Sequence, residues 1–335
     1  MPSWGEILAE LNALQKDLKE RKGNPKTAFD TVRRKYLASL QKLTGRNVVL
    51  YATNWTSPGG PPPELVSITD EDIHALMEVL RGLSGDGVDI ILHSPGGSAE
   101  SAEALVSYLR TKFQDIRVVV PQAAMSAATM LACAANRIVM GKHSFLGPID
   151  PQLILATPVG TKAVPAQAIL DQFRKAQEEC KDPQLLASWL PMLSQYGPAL
   201  LIECENALSL AQELVSRWLK QYMFQGDREA EQKSRSIAAA LADHKTFRSH
   251  SRHLSRDQVK SLGGYGLVVD DLEASQEFQD AVLSIFHAAI HTFGGTGAAK
   301  IVENHLGRAY VKVVQMIVVE ERTPQATPEE KRPES

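Results

Sequence analysis

The 335-residue chain has few cysteines, few aromatic residues and no large surplus of charge of either sign. Its 36 Lys and Arg against 39 Asp and Glu give a net charge of −3, which excludes nucleic-acid binding through bulk charge. The cysteines are too few for a disulfide framework and are not spaced like zinc ligands, which favours a reduced, cytoplasmic compartment. They are Cys133, Cys180 and Cys204.

Long hydrophobic runs are also missing. No stretch approaches the roughly 20 consecutive apolar residues of a membrane-spanning helix, so membrane association has no transmembrane segment to support it. The N-terminal residues 1–21 carry early acidic residues and no apolar core, so we do not expect a secretory signal. Neither G-x-x-x-x-G-K-[ST] nor G-x-G-x-x-G occurs, so no nucleotide-binding motif is predicted.

The spacing of apolar residues predicts how the chain is organised. Residues 4–43 show the helical period with a break at residues 23–25, which predicts two amphipathic helices. We expect this N-terminal helical segment, residues 1–45, to dock or to serve in oligomerisation; attachment to a membrane surface is the alternative. From residue 46 short apolar strands alternate with helices, which is typical of an α/β fold with mainly parallel strands.

A helical stretch at residues 166–242 is interpreted as an insertion within one domain that spans residues 46–310. Breaks in this stretch are expected at Asp182-Pro183 and Gly197-Pro198. The remaining elements are expected at residues 272–292 (a helix), 310–319 (a last strand) and 311–335 (a C-terminal segment of strand and disordered tail).

Residues 92–98 (LHSPGGS) form the first candidate catalytic or ligand-binding segment. An apolar strand ends there in two glycines, and a serine cap opens the next helix. Glycine leaves the backbone N–H accessible, and a helix start adds unpaired donors and the positive end of the dipole. Such a turn can hold a phosphate or an oxyanion. A tight turn that needs glycine only for steric reasons is the alternative.

Residues 122–130 (QAAMSAATM) form the second segment. They place Ser126 among small residues at a strand-to-helix turn, where its hydroxyl and the next backbone N–H face the same space. Such a serine is either a nucleophile or a helix cap.

Together the two segments resemble the Clp protease/crotonase superfold. Residues 146–152 (LGPIDPQ), the pair Ser249-His250 and residues 255–269 narrow the resemblance to the serine dehydrogenase proteinase family, which is related to signal peptide peptidase A. The resemblance covers roughly residues 45–310. It implies a fold of repeated ββα units with extra helices, and a serine peptidase whose triad runs Ser, Asp, His along the chain.

The resemblance implies a role for each matching residue. Ser126 is the nucleophile, Asp150 the acid and His250 the general base, while the backbone N–H groups of Gly97 and Ala127 are the oxyanion donors. The chain departs from the family pattern in three places. They are Ala128, where glycine is common; an insertion in the Leu-Gly-Leu turn at residues 262–267; and a helix pair where members often carry a membrane span.

Other residues compete for these roles. The alternative bases are His143, His253, Lys175 and Lys181, the lysines because signal peptide peptidase relatives use a Ser–Lys dyad. Asp150 is also placed to cap a turn before Pro151. Structural roles rather than catalysis or metal binding are expected for His93, His287 and His291.

We therefore expect a serine endopeptidase that acts on peptides or unfolded proteins through an acyl-enzyme, without a metal, cofactor or nucleic acid. The apolar helical faces outside the core, including Trp4, Trp189 and Trp218, favour a homo-oligomer such as a trimer, a hexamer or a ring. Two other functions remain open. One is a crotonase-like acyl-CoA enzyme, and the other is a non-catalytic scaffold or partner-binding protein of the same fold.

Overall fold

The computed structural model describes residues 4–157 and 160–314. Its helices are α1 (Trp4–Glu20), α2 (Thr27–Thr44), α3 (Pro63–Val66), α4 (Asp72–Leu80), α5 (Ala99–Lys112), α6 (Ala127–Cys133), α7 (Ala166–Glu179), α8 (Pro183–Leu193), α9 (Leu200–Trp218), α10 (Ala230–Ala242), α11 (His244–Phe247), α12 (Arg256–Val259) and α13 (Gln276–Gly295). Its strands are β1 (Asn47–Thr53), β2 (Gly87–His93), β3 (Asp115–Val120), β4 (Ala123–Ala124), β5 (Arg137–Met140), β6 (Phe145–Leu146), β7 (Gln152–Thr157), β8 (Gly160–Pro165), β9 (Leu254–Ser255), β10 (Val269–Asp271), β11 (Ala298–Asn304) and β12 (Ala309–Val313).

A seven-stranded sheet with the order β10-β5-β3-β2-β1-β11-β12 forms the centre of the molecule. Strands β10, β5, β3, β2 and β1 are parallel, whereas β11 is antiparallel to both of its neighbours. One face packs against α4, α5, α6 and α9, and the other against α2 and α13. Because both faces are covered, strands such as β2 are buried along nearly their whole length.

This architecture confirms the predicted α/β fold with mainly parallel strands. Strand β11 has no counterpart among the predicted elements, although it pairs directly with β1. The last predicted strand begins one residue earlier than expected, at Ala309, and β12 ends at Val313. The residues beyond 314, which include the rest of that predicted strand and the predicted tail, lie outside the described residues.

A second, three-stranded sheet, β4-β6-β9, positions the candidate site. Strand β4 is parallel to β6, and β9 is antiparallel to β6. The residues that follow β4 and β6 therefore lie at the same end of this sheet as the residues that precede β9. Ser126, Asp150 and His250 occupy these three positions in the chain.

The predicted helical insertion contains α7 to α10 and is preceded by a β7–β8 hairpin that the apolar pattern did not indicate. The expected breaks are present, since Asp182 caps α8 by accepting a hydrogen bond from the Gln184 N–H, and α9 begins at Leu200. Helix α8 buries none of its residues and exposes Leu185, Leu186, Leu190 and Met192. None of the helices within the described ranges has the length and apolar character of a membrane span.

Candidate active site

Ser126 lies at a strained turn between β4 and α6. Its backbone has φ +52° and ψ −122°, a combination that is rare for a residue with a side chain and that is associated with functional sites. The residue is half-buried between the buried Met125 and Ala127. Its side chain makes no capping hydrogen bond to α6, although it occupies the N-cap position. The hydroxyl is therefore not engaged in the capping role that the sequence left open.

The glycine turn of residues 96–97 packs directly on the Ser126 turn. A Cβ atom on Gly96 would lie 2.7 Å from the Ser126 Cβ and 2.8 Å from the Ala127 nitrogen, so no larger residue fits there. The backbone N–H groups of Gly97 and Ala127 donate no hydrogen bond to any group in the part of the chain that the structure describes. Two free donors beside a serine are the arrangement that an oxyanion hole needs.

Asp150 is buried at the end of a loop that is hydrogen-bonded to β4 and α6 through Thr129. The Thr129 hydroxyl donates to the Ala124 carbonyl at 2.8 Å and accepts from the Gly147 N–H at 2.9 Å, which joins β4 and α6 to the loop after β6. The Ile149 N–H then donates to the Leu241 carbonyl at the end of α10. These bonds position the carboxylate close to the segment that follows α10.

Two histidines donate to this carboxylate. The His250 Nδ1 lies 2.8 Å from one carboxylate oxygen of Asp150, and the His244 Nδ1 lies 2.9 Å from the other. Both imidazoles are mostly buried, with 18% and 16% of the side chain exposed, whereas the Asp150 side chain is 1% exposed. Because each Nδ1 donates its proton to the carboxylate, each Nε2 can accept one.

His244 has no role among the sequence-based predictions. It lies six residues before His250 in the same polar turn, and Asp243 caps the short helix α11 that it begins. Nothing in the local sequence pattern distinguishes one histidine of this turn from another. The contact with Asp150 is a long-range one that only the fold reveals.

The other candidates for the base make different contacts. None of them forms a hydrogen bond or ion pair with Ser126 or Asp150 within residues 4–157 and 160–314. His253 packs edge-on against Phe145, and His143 is exposed. Lys175 and Lys181 are exposed on and after α7 and pair with Glu179 and Glu178.

The histidines expected to be structural each contact at least one aromatic ring. His93 lies between Trp55 and Phe286, and burial lowers the pKa of its imidazole to about 3 against the opposing effect of the Ala123 carbonyl. His287 and His291 contact Trp4. Among the described residues no group of three or more His, Cys, Asp and Glu side chains is arranged to hold a metal ion.

The fold defines a Clp-fold protein, and its small sheet carries the Ser126 turn, Asp150 and His250 at one end. The chain belongs to the family of ClpP-like, SDH-type serine proteinases, whose family model matches residues 63–271. The resemblance that the sequence motifs predicted is thereby confirmed.

The individual proteins that this chain resembles share less than 30% of its sequence. Two uncharacterized proteins of Methanocaldococcus jannaschii, MJ0137 and MJ1495, are 27% and 28% identical over 197 residues. Each match covers 58% of this chain and 59% or 58% of the relative, so it spans less than two thirds of the relatives' length. A solved structure, that of a serine-to-alanine mutant of the 1510-N membrane-bound stomatin-specific protease, is 15% identical with a TM-score of 0.33. That likeness covers 61% of this chain and 74% of the other.

Proposed function

We propose that the protein is a serine endopeptidase that hydrolyses peptides or unfolded proteins through an acyl-enzyme at Ser126. The observation that carries this proposal is the hydrogen bond between His250 and Asp150 at the end of the small sheet that also bears the strained Ser126 turn. Membership of a serine proteinase family supports the same reaction class.

In the proposed mechanism His250 acts as the general base. A serine hydroxyl is a weak nucleophile, so a neutral imidazole must remove its proton as it attacks the substrate carbonyl. Asp150 accepts the Nδ1–H of His250, which leaves Nε2 free to take the Ser126 proton and stabilises the imidazolium that forms. The imidazolium then protonates the leaving amine, and the acyl group remains on Ser126.

The backbone donors of Gly97 and Ala127 have a separate task. As the hydroxyl attacks, negative charge develops on the substrate carbonyl oxygen, and two fixed N–H groups stabilise it. Water then attacks the acyl carbon as His250 removes a proton from it, and the same donors hold the second oxyanion. As the bond from the acyl carbon to the Ser126 oxygen breaks, the His250 imidazolium returns the proton to that oxygen, and the carboxylic acid product leaves. No step in this sequence requires a metal or a cofactor.

His244 is a second candidate for the base because it contacts the same carboxylate. Two features favour His250. It lies four residues before β9, which pairs with β6, and β6 pairs with the strand that leads into Ser126. His244 lies ten residues before β9 and faces a groove of the helical insertion that Gln167, Arg174 and Gln212 also line. We therefore assign His244 the task of orienting the carboxylate.

Two other functions would use the same fold differently. A crotonase-like acyl-CoA enzyme would use the two backbone donors but needs no serine nucleophile, and a scaffold would need neither. The strained conformation and unengaged hydroxyl of Ser126 favour the peptidase over both.

We also propose that the protein forms a homo-oligomer in the cytoplasm. Leu185, Leu186, Leu190 and Met192 leave α8 with an apolar exposed surface that suits contact with a second copy. One part of the sequence argument was wrong, because Trp218 is buried in the core of the monomer. All three cysteines are free thiols, which suits a reducing compartment.

The decisive experiment is treatment with a biotinylated fluorophosphonate, followed by mass spectrometry of the modified peptide and by hydrolysis assays on a fluorescently labelled unfolded protein. Modification of Ser126 together with hydrolysis is expected. Hydrolysis of acyl-CoA without labelling would favour the crotonase-like function. An inert Ser126 in a protein that forms stable complexes would favour the scaffold.

A further inference from the structure

A buried ion pair lies behind the glycine turn of the candidate site. The Lys300 Nζ on β11 contacts the two carboxylate oxygens of Asp72 at 2.6 and 2.8 Å, and both side chains are almost completely buried. The Tyr51 hydroxyl donates to the same carboxylate at 2.9 Å. Lys300 lies outside the segment that matches the family model, whereas Asp72 lies within it.

The pair holds the backbone on both sides of Ile68. The Lys300 Nζ donates to the Ser67 carbonyl at 2.8 Å, and the Thr69 N–H donates to an Asp72 carboxylate oxygen at 2.9 Å. The residues before and after Ile68 are thus bonded to the same buried pair. Ile68 itself is completely buried, so its side chain is packed on all sides.

Ile68 in turn holds the glycine turn. Its N–H donates to the Gly96 carbonyl at 2.7 Å, and its carbonyl accepts from the Ser98 N–H at 3.1 Å. A Cβ atom on Gly97 would overlap the Ile68 backbone, so the two segments are in the closest possible contact. Both neighbours of Gly97 are bonded to Ile68, and the direction of the Gly97 N–H follows from these bonds.

We propose that Lys300 and Asp72 are positioning residues that aim the Gly97 N–H at the substrate oxyanion, a role that rests on the proposed peptidase function. A buried ion pair contributes little net stability compared with apolar residues of equal volume. Its directional bonds, however, define the place of the Ser67 carbonyl and the Thr69 N–H. A small displacement of an oxyanion donor lowers the rate of the chemical step strongly. Loss of the ion pair should therefore lower kcat.

The same strand supplies a matched control. Glu303 of β11 forms a second fully buried ion pair with Arg33 of α2, three residues from Lys300. This pair contacts Asp30, Arg34 and Thr292 and makes no bond to the Ile68 segment among the described residues. Lys300→Met removes the cation that pairs with Asp72, and Arg33→Met leaves Glu303 with the half-exposed Arg34 as its remaining ion-pair partner. Both variants should destabilise the fold, but only the first should disturb Gly97.

The test compares both variants with the wild type in two measurements. In peptide hydrolysis, Lys300→Met should lower kcat about 10- to 100-fold with KM changed less than about threefold, while Arg33→Met should keep kcat. In hydrogen exchange followed by mass spectrometry, peptides covering residues 66–70 and 94–99 should lose protection in Lys300→Met alone. If Lys300→Met does not fold, Asp72→Asn combined with Lys300→Met removes both charges and should show the same changes.

The outcomes separate the two proposals. A Lys300 variant with wild-type kcat and wild-type exchange at residues 94–99 overturns the positioning role, as does an equal loss of kcat in Arg33→Met. If the wild type itself neither hydrolyses peptides nor reacts with the fluorophosphonate, the proposed function fails. The exchange measurement then still decides whether Lys300 holds the glycine turn.

Discussion

His250 and Asp150 are 100 residues apart in the chain, yet a hydrogen bond of 2.8 Å joins the imidazole Nδ1 to the carboxylate. The small sheet explains how they meet. Asp150 follows β6 and His250 precedes β9, and because these strands are antiparallel, both residues lie at one end. Strand β4, parallel to β6, brings the Ser126 turn to that same end.

Replacement of Ser126 tests both the nucleophile and the strain. Ser126→Ala should abolish fluorophosphonate labelling and peptide hydrolysis without loss of fold, because it removes one hydroxyl that makes no capping bond. Ser126→Gly should be equally inactive but more stable than Ser126→Ala by about 1 kcal/mol, since glycine adopts φ +52° without a Cβ penalty. Urea unfolding and the labelling assay measure the two effects.

The exposed serine Ser251 provides the control for this experiment. Ser251→Ala should keep both labelling and hydrolysis. Wild-type hydrolysis by Ser126→Ala would show that another residue is the nucleophile.

The two histidines on Asp150 form a natural pair for mutagenesis. His250→Ala should lower kcat about 10²- to 10⁴-fold, because it removes the proposed general base. His244→Ala should lower it roughly 10-fold or less, because one carboxylate oxygen still accepts from His250. Steady-state hydrolysis of a fluorogenic peptide measures both.

The other candidate bases act as controls for this pair. His143→Ala, His253→Ala, Lys175→Ala and Lys181→Ala should retain most of the activity. A reversed order, with His244→Ala inactive and His250→Ala active, would assign the base to His244. An inactive lysine variant beside an active His250→Ala would indicate a Ser–Lys dyad.

The contact between Gly96 and the Ser126 turn predicts a steric effect on activity. Gly96→Ala places a methyl group 2.5 Å from the Met125 carbonyl oxygen and 2.7 Å from the Ser126 Cβ, so the Ser126 turn must move. We expect loss of at least about 10²-fold in kcat. Gly85→Ala is the matched control, because Gly85 also has positive φ but open space around it. Equal activity of the two variants would contradict the packing described for the site.

Buried His93 predicts a pH dependence of stability. Burial lowers its pKa from 6.5 to about 3, so between these values the unfolded chain binds a proton that the folded chain does not. The free energy of unfolding should therefore fall as the pH drops below 6.5, by about 1 kcal/mol from this group between pH 6.5 and 5.5. Urea titrations at both pH values measure it. His93→Leu should flatten the slope by that amount, and an unchanged slope in this variant would contradict the prediction.

The exposed face of α8 predicts the state of assembly. Light scattering should give a mass that is a multiple of the 36.7 kDa chain mass. Leu190→Glu, at a residue of α8 that is 56% exposed, should reduce that mass. Leu306→Glu is a control of the same residue type and the same exposure on the β11–β12 turn, and it should leave the mass unchanged. A single 36.7 kDa species in the wild type at micromolar concentration would contradict the homo-oligomer.

The local chemistry of the chain was enough to predict the parallel strands and the two turns of the site. Apolar runs indicated β1, β2, β3 and β5, because strands covered on both faces need them. Glycines mark residues 96–97 and small residues mark Ser126, because a close approach of two turns admits nothing larger. These features depend on neighbours in sequence or on the size of one residue, so the sequence alone determined them.

Contacts between residues far apart in the chain determined strand β11 and the histidine contacts of Asp150. Strand β11 was missed because Lys300 and Glu303 interrupt its apolar pattern, and each is buried against a charge from a distant element, Asp72 or Arg33. The sequence also did not show which histidines contact Asp150, because a polar turn does not indicate which imidazole reaches a carboxylate about 100 residues away. A buried charge is tolerated only beside its partner, and which partner it meets is settled when the strands and helices pack.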